Sequence, residues 1–167
     1  MTRRFWLTAL AVVTLDQWSK LLVVQWLPAL HESRAVLPDI LNITHVQNTG
    51  IAFGLFRERG WSLIALAILA ATGIIWYWSR LQRRHELVGW PLTLALSLPL
   101  GGALGNLLDR VRLGHVIDFI DVGWWPVFNL ADAAITIGAA LFAWYCIASR
   151  EHPHAQGAAS VPPSATR

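Results

Sequence analysis

Four long apolar segments restrict what this chain can fold into. They cover roughly residues 5–27, 60–79, 87–108 and 130–149, and the second and third contain no charged residue. A helix needs about twenty apolar residues to cross the hydrocarbon core of a bilayer. Because no water is available there, a spanning segment must satisfy its own backbone hydrogen bonds. Each segment is therefore predicted to be a transmembrane helix.

The composition favours a membrane protein and argues against other classes. Of the 167 residues, 55% are hydrophobic, which exceeds the share in ordinary soluble domains. The formal net charge of +3 comes largely from arginines grouped between apolar segments, so no nucleic-acid partner is expected. The single cysteine, Cys146, excludes an internal disulfide and a cysteine metal cluster.

Four spans place both termini on one side of the membrane and the loops 28–59 and 109–129 on the other. The side with the termini carries more arginines, so the positive-inside rule predicts cytoplasmic termini and outward-facing loops. These arginines are Arg3, Arg4, Arg80, Arg83, Arg84, Arg150 and Arg167. Residues 1–150 are predicted to form one membrane domain, and the Ala-, Pro- and Ser-containing tail 151–167 is predicted to be disordered.

The first outer loop contains a predicted β element. Residues 40–47 are rich in β-branched side chains and roughly alternate in polarity, and Asn48-Thr49-Gly50 follows as a turn signal. We expect a short hairpin or small sheet outside the lipid. Residues 51–56 are apolar but too short to cross, so an interfacial helix is expected there.

Polar residues that lipid would penalise fall at one depth, near the outer surface. They are Asn48, Asn106, Arg110, Asp118, Asn129 and Asp132, with Lys20 and Asp16 in the outer half of the first span. Ionisable groups within membrane segments are costly and commonly mark functional sites. Polar residues that serve only local structure would have no reason to share a depth. The sequence therefore predicts a site at this surface.

Some of these residues also have structural interpretations that the sequence leaves open. Asp16 and Lys20 are four apart, the favourable order for an ion pair within a helix. Residues 101–105 contain a Gly-x-x-x-Gly, which usually indicates close helix packing. Asn129 is a candidate helix N-cap, with Asp132 in the first turn.

Carboxylate chemistry is what remains after other catalytic motifs are excluded. The sequence has no Gly-x-Ser-x-Gly, His-Glu-x-x-His or P-loop, so no metal or cofactor is expected. Two neighbouring carboxyls share a proton, so one can activate water while the other donates a hydrogen bond to a peptide carbonyl. Asp118 and Asp132 are the candidates, if the loop between them folds back. An N-cap at Asn129 would favour an ionised Asp132 as the base, with Asp118 protonated.

A transporter and a membrane scaffold are two alternatives to a peptidase. Intramembrane Asp and Lys also form proton relays in transporters. Four spans, no evident repeat and a cluster at the surface rather than the midplane argue against a transporter. A membrane scaffold without chemistry would leave the acids at the start of the fourth span unexplained.

Five motifs, in order along the chain, resemble those of the lipoprotein signal peptidase (signal peptidase II) family. They are residues 15–20 (LDQWSK), 46–53 (VQNTGIAF), 101–110 (GGALGNLLDR), 114–119 (GHVIDF) and 128–132 (FNLAD). The resemblance covers nearly the whole chain up to the end of the fourth span. It implies an all-α polytopic membrane protein with four transmembrane helices, a small outward-facing β element and an interfacial helix.

The resemblance also implies an activity, a location and partners. The family consists of aspartyl endopeptidases of the bacterial cytoplasmic (inner) membrane that cut prolipoproteins just before a diacylglyceryl-modified cysteine. By motif match, Asp118 and Asp132 form the catalytic dyad. Asn48, Gly50, Asn106, Arg110 and Asn129 would bind substrate or line the site, and Asp16 and Lys20 would support it. The expected partners are these prolipoproteins, membrane lipids and globomycin-type inhibitors, and a monomer is expected.

Overall fold

Within residues 2–50, 60–84 and 88–148, which the computed structural model describes, the chain forms four helices and three strands. The helices are α1 (Thr2–Trp26), α2 (Gly60–Arg83), α3 (Trp90–Leu113) and α4 (Leu130–Ala148). The strands are β1 (Ser33–Leu37), β2 (Leu41–Asn48) and β3 (Val116–Asp121). All four helices are long and apolar enough to cross a membrane. The predicted polytopic fold with a small β element is confirmed.

Helix α3 lies at the centre of the bundle and packs against the other three helices. Glycines on α3 allow this close approach. A Cβ at Gly101 would lie 2.6 Å from Cβ of Val12 on α1, and one at Gly102 would collide with the carbonyl oxygen of Ala131 on α4. The Gly-x-x-x-Gly segment therefore does serve close helix packing, as its structural interpretation proposed.

The ends of α3 explain why it differs from the apolar segment predicted at 87–108. Gly89 precedes the helix and a proline lies within its first turn, where the missing N–H costs little. Gly114, with φ of +78°, ends it and donates its N–H to the carbonyl oxygen of Arg110 at 3.1 Å. Hydropathy marks only the apolar part of a helix, so it missed the last turn, which carries Arg110.

The three strands form an antiparallel sheet in the order β1-β2-β3. It lies at the end of the bundle where α1 and α3 finish and α2 and α4 begin. The chain turns between β1 and β2 near Asp39, which has φ of +63°. The turn predicted at Asn48-Thr49-Gly50 lies where β2 ends and leaves the sheet. The second partner of β2 is β3, from the second loop, with Val46 opposite Asp118.

The apolar core lies toward the other end of the bundle. Phe5 of α1 stacks on Trp78 of α2 with ring centroids 4.2 Å apart, and leucines of α3 complete the cluster. Polar groups are thus concentrated at the sheet end. The interfacial helix predicted at 51–56 and the tail 151–167 lie outside the described residues.

Candidate active site

The sheet end of the bundle brings together all nine residues singled out from the sequence. Helix α1 contributes Asp16 and Lys20, α3 contributes Asn106 and Arg110, and α4 contributes Asp132. Strand β2 and the turn after it contribute Asn48 and Gly50, β3 contributes Asp118, and Asn129 directly precedes α4. Asp16, Lys20, Asn106, Asp118 and Asn129 are buried, which is unusual for polar side chains.

Asp118 is held by two side-chain amides. Asn48 Nδ2 donates to Asp118 Oδ2 at 2.8 Å, and Asn129 Nδ2 donates to Asp118 Oδ1 at 2.6 Å. The Gly50 N–H donates to Asn48 Oδ1 at 2.8 Å. Because the oxygen of Asn48 is already used, its NH₂ group is the part that faces Asp118. Gly50, with φ of +92°, adopts a conformation that other residues rarely do.

Asp132 lies in the first turn of α4 and is bound to the residue that caps this helix. The Asp132 N–H donates to Asn129 Oδ1 at 2.9 Å, and the Asn129 N–H donates to Asp132 Oδ2 at 3.4 Å. This reciprocal pair resembles a capping box. Asn106 Nδ2 of α3 donates to Asp132 Oδ1 at 2.8 Å. The N-cap interpretation of Asn129 is therefore correct, and the same residue also contacts Asp118.

The loop between the two aspartates does fold back, as their pairing requires. The N–H groups of Phe119 and Ile120 both donate to the carbonyl oxygen of Phe128, at 3.0 and 2.7 Å. This returns the chain to the start of α4. Asn129 Nδ2 lies 3.1 Å from Asn106 Oδ1 as well, so amides connect the two carboxyl groups.

Burial raises the pKa of Asp118 to about 6, because the ionised carboxylate loses its hydration. The hydrogen bond from Asn48 opposes this shift, the charge of Asp132 adds to it, and the bond from Asn129 again opposes it. With this pKa, Asp118 holds a proton over a pH range in which an ordinary aspartate is ionised, as suits a general acid.

Behind the aspartates, Lys20 forms the centre of a buried ionic network. Its Nζ lies 2.7 Å from Asp16 Oδ2 and 2.8 Å from Asp109 Oδ2, and it donates to Asn106 Oδ1 at 3.0 Å. Asp16 and Lys20 thus form the ion pair that their spacing predicted. Asp109 was missed as a site residue. Its available signal was an acid three residues after Asn106 on one helix, at the end of an apolar segment.

Next to Asp132, an apolar cavity of about 290 Å³ opens between α2, α3 and α4. Arg110 is half-buried at the polar end of this cavity, and its guanidinium donates to the carbonyl oxygen of Asn106 at 3.5 Å. The lining residues are Leu63, Leu66, Ala67, Ala70, Ile74, Pro99, Ala103, Asn106, Arg110, Asp132 and Ile135. Asn106 and Arg110, which are four residues apart, therefore share a face of α3.

Among the described residues, no group of three or more His, Cys, Asp or Glu side chains is placed to hold a metal ion. His45 is buried, and its Nδ1 lies 2.9 Å from the carbonyl oxygen of Leu27. The arrangement can perform acid–base chemistry with two carboxyls linked by amides, one of which, Asp132, lines an apolar cavity.

Comparisons with known proteins agree with this geometry. The family model described as signal peptidase (SPase) II matches residues 8–148. The chain is 40% identical over 140 residues to the lipoprotein signal peptidase of Halothermothrix orenii. The aligned region covers 84% of this chain and 92% of that protein. It is 46% identical over 140 residues to the lipoprotein signal peptidase of Syntrophomonas wolfei, and that alignment covers 83% of this chain and 89% of the relative.

A solved structure has the same architecture. It is a bacterial membrane enzyme determined by the in meso method at 2.3 Å resolution. The TM-score is 0.76 at 29% sequence identity, over 95% of this chain and 94% of that one. The similarity thus runs through all four helices and the segments that carry the aspartates.

Proposed function

The chain belongs to the signal peptidase II family, and we propose that it cleaves prolipoproteins just before a diacylglyceryl-modified cysteine, with Asp118 and Asp132 as the catalytic dyad. It is a multi-pass membrane protease. The observation that carries the dyad is the double role of Asn129. Its Nδ2 binds Asp118 at 2.6 Å while its Oδ1 accepts the Asp132 N–H at 2.9 Å, so one side chain joins both aspartates.

The two aspartates have different roles in the proposed reaction. Asp132, near the positive end of α4, is the ionised base and removes a proton from water as the water oxygen attacks the peptide carbonyl carbon. The protonated Asp118 hydrogen-bonds to the carbonyl oxygen. When the tetrahedral intermediate collapses, the C–N bond breaks and Asp118 gives its proton to the leaving amine. Asp132 keeps the proton taken from water, so the pair still holds one proton. The raised pKa of Asp118, about 6, supports this division.

The cavity beside Asp132 would receive the apolar part of the substrate. Leu63, Leu66 and Ile74 of α2 form one wall, and Asn106, Arg110 and Asp132 form the polar end. A signal helix placed along the apolar wall would bring its scissile bond to the carboxyls near the membrane surface. Arg110 would bind a carbonyl or phosphate oxygen there, because a guanidinium donates in a planar fork. Asn48, Gly50 and Asn129 orient the dyad.

The site would face outward from the bacterial inner membrane. Arginines at the termini and between the second and third helices favour a cytoplasmic location for those segments. A monomer among membrane lipids would suffice, because the described residues of one chain provide both aspartates.

Cleavage of defined substrates by the purified protein tests this function. The substrates are one prolipoprotein with and without the diacylglyceryl group, and mass spectrometry of the products locates the cut. We expect a new N-terminus at the lipidated cysteine, negligible cleavage of the unmodified form, and inhibition by globomycin. A cut at another position, or equal cleavage of both forms, would contradict the proposed specificity.

A further inference from the structure

Lys20 has more partners than an ion pair within one helix requires. Asp16 alone would neutralise its charge, yet the ammonium also contacts Asp109 and Asn106 of α3. Lys20 is only 2% exposed, and neither Asp16 nor Asp109 is more exposed than that. The ammonium donates hydrogen bonds to Asp16 and Asn106 and forms a further ion pair with Asp109.

The two carboxylates bound to Lys20 each hold the backbone beside one dyad residue. Asp16 Oδ1 accepts the N–H of Ala131, which directly precedes Asp132, at 3.0 Å. Asp109 Oδ2 accepts the N–H of Ile117, which directly precedes Asp118, at 3.3 Å. One ammonium is thus linked, through one carboxylate on each side, to the chain segments that carry both aspartates.

Asn106 provides a third and more direct connection to the dyad. Its Oδ1 accepts from Lys20 at 3.0 Å and from Asn129 at 3.1 Å. With its oxygen occupied, its NH₂ group is directed to Asp132, to which it donates at 2.8 Å. If the Asn106 amide were reversed, its NH₂ would face the ammonium, two donors in contact. Lys20, together with the NH₂ of Asn129, therefore selects the amide orientation that Asp132 needs.

We propose that Lys20 is a positioning residue that fixes the separation and orientation of the Asp118–Asp132 dyad through Asp16, Asp109 and Asn106. This role rests on the proposed function of the two aspartates. It differs from a purely structural ion pair because it predicts a loss of turnover even when the fold is retained. Small errors in the placement of catalytic groups can cost about 100-fold in rate.

The close contact at Gly105 indicates that the fold accommodates this network. A Cβ at Gly105 would lie 2.6 Å from Asp16 Oδ2, so only glycine lets the carboxylate lie against α3. Gln17 Nε2 donates to Asp109 Oδ1 at 2.8 Å and occupies the remaining oxygen of that carboxylate. Both acids are thereby held in one orientation toward Lys20.

The test needs a variant that removes the ammonium without leaving buried charges unpaired. Lys20→Met alone would leave Asp16 and Asp109 uncompensated and destabilise the protein. The neutral triple variant Asp16→Asn/Lys20→Met/Asp109→Asn avoids this, and its amide oxygens can still accept the two backbone N–H groups. Ser97→Ala is the control, because Ser97 is buried on the same helix α3 and its hydroxyl has no hydrogen-bond partner among the described residues.

The first readout separates turnover from binding, with circular dichroism used to verify the fold. In the neutral triple variant we expect kcat to fall about 100-fold while KM changes little, because the dyad is displaced but the apolar cavity remains. Ser97→Ala should behave as wild type. A triple variant that is folded and keeps a wild-type kcat would overturn the positioning role.

The second readout measures the dyad geometry without catalysis. In a Cys146→Ala background, Asp118→Cys and Asp132→Cys create a thiol pair that a short bifunctional reagent can cross-link. We expect efficient cross-linking when Lys20 is present and a marked loss in the neutral background. Equal cross-linking in both would overturn the proposal even if kcat fell. Failure of the proposed function is seen separately, as a wild-type protein that cuts no lipidated substrate.

Discussion

Side-chain amides determine how the two aspartates differ. Of the two aspartates, Asn48 donates only to Asp118 and Asn106 donates only to Asp132, whereas Asn129 contacts both. An amide donates to a carboxylate more strongly than to a neutral acid, so the bonds from Asn48 and Asn129 lower the pKa of Asp118. Burial raises the pKa of Asp118. The protonation of Asp118 therefore depends on residues that need not touch the substrate.

Removal of the Asn48 amide should change the pH dependence of cleavage. If Asp118 acts when protonated, kcat/KM falls as pH rises through about 6. The Asn48 hydrogen bond lowers the pKa of Asp118, so Asn48→Ala should raise it and move the alkaline limb to higher pH. A charge-assisted bond worth about 1.5 kcal/mol corresponds to a shift of about one pH unit.

The control for this experiment is Gln47→Ala, the exposed neighbour on β2. It should leave the pH profile of kcat/KM unchanged. An alkaline limb that stays in place in Asn48→Ala, or moves to lower pH, would show that Asp118 is not the protonated partner.

Arg110 and Arg112 provide a matched pair of substitutions on one helix. Arg110 lines the cavity with Asp132, whereas Arg112 is exposed and donates to Gln17 Oε1 at 3.3 Å. Lysine keeps the charge but loses the planar fork. Arg110→Lys should lower kcat/KM about tenfold or more, and Arg112→Lys should have little effect. Equal losses in a quantitative turnover assay would contradict a substrate contact at Arg110.

At the scale of helices and strands, the sequence predicted the features that depend on the local pattern of apolar and polar residues. The apolar segments predicted α1 to α4, and the depth of the polar residues predicted which of them meet. The sequence did not predict β1. It also did not predict the pairing of β2 with β3, because that pairing joins residues about seventy apart in the chain. It also missed Asp109, whose importance comes from contacts with α1 and β3 rather than from its own segment.

Two glycines test how tightly the helices pack. A Cβ at Gly138 of α4 would collide with the ring of Pro99 in α3, which is rigid, whereas a Cβ at Gly73 of α2 would meet nothing within 4 Å. Gly138→Ala should therefore destabilise the bundle by about 1–3 kcal/mol. Gly73→Ala should be neutral or stabilise α2 by up to about 1 kcal/mol.

Unfolding in mixed micelles with increasing SDS, followed by circular dichroism, would compare these two variants. If Gly138→Ala were as stable as Gly73→Ala, the α3–α4 contact would be looser than the structure indicates.

At the scale of the whole molecule, exposed apolar side chains surround a polar end. Large apolar residues such as Trp61, Leu69 and Val111 are more than half exposed, which suits a lipid environment rather than water. Membership of a peptidase family agrees with the sequence arguments against a transporter and against a scaffold. In the proposed function, the polar end would act where a membrane-embedded substrate meets the surface.

Thiol labelling would test the proposed orientation. The labelled cysteines would be Trp124→Cys and Arg83→Cys, each introduced into a Cys146→Ala background. Position 124 lies in the loop before α4, position 83 lies at the end of α2, and both are exposed. With the outer membrane permeabilised, an impermeant reagent should label position 124 directly and position 83 only after the inner membrane is opened. The reverse pattern would place the site in the cytoplasm.

The most direct test of the dyad is cleavage of a diacylglyceryl prolipoprotein by purified wild type, Asp118→Asn and Asp132→Asn, with a chelator present throughout. Asparagine preserves the shape of each side chain but can neither accept the proton of water nor donate one as an acid. We expect wild-type cleavage unaffected by the chelator, and folded variants slower by about 1000-fold or more. Cleavage by either folded variant at near the wild-type rate would contradict the assignment of Asp118 and Asp132 as the catalytic pair.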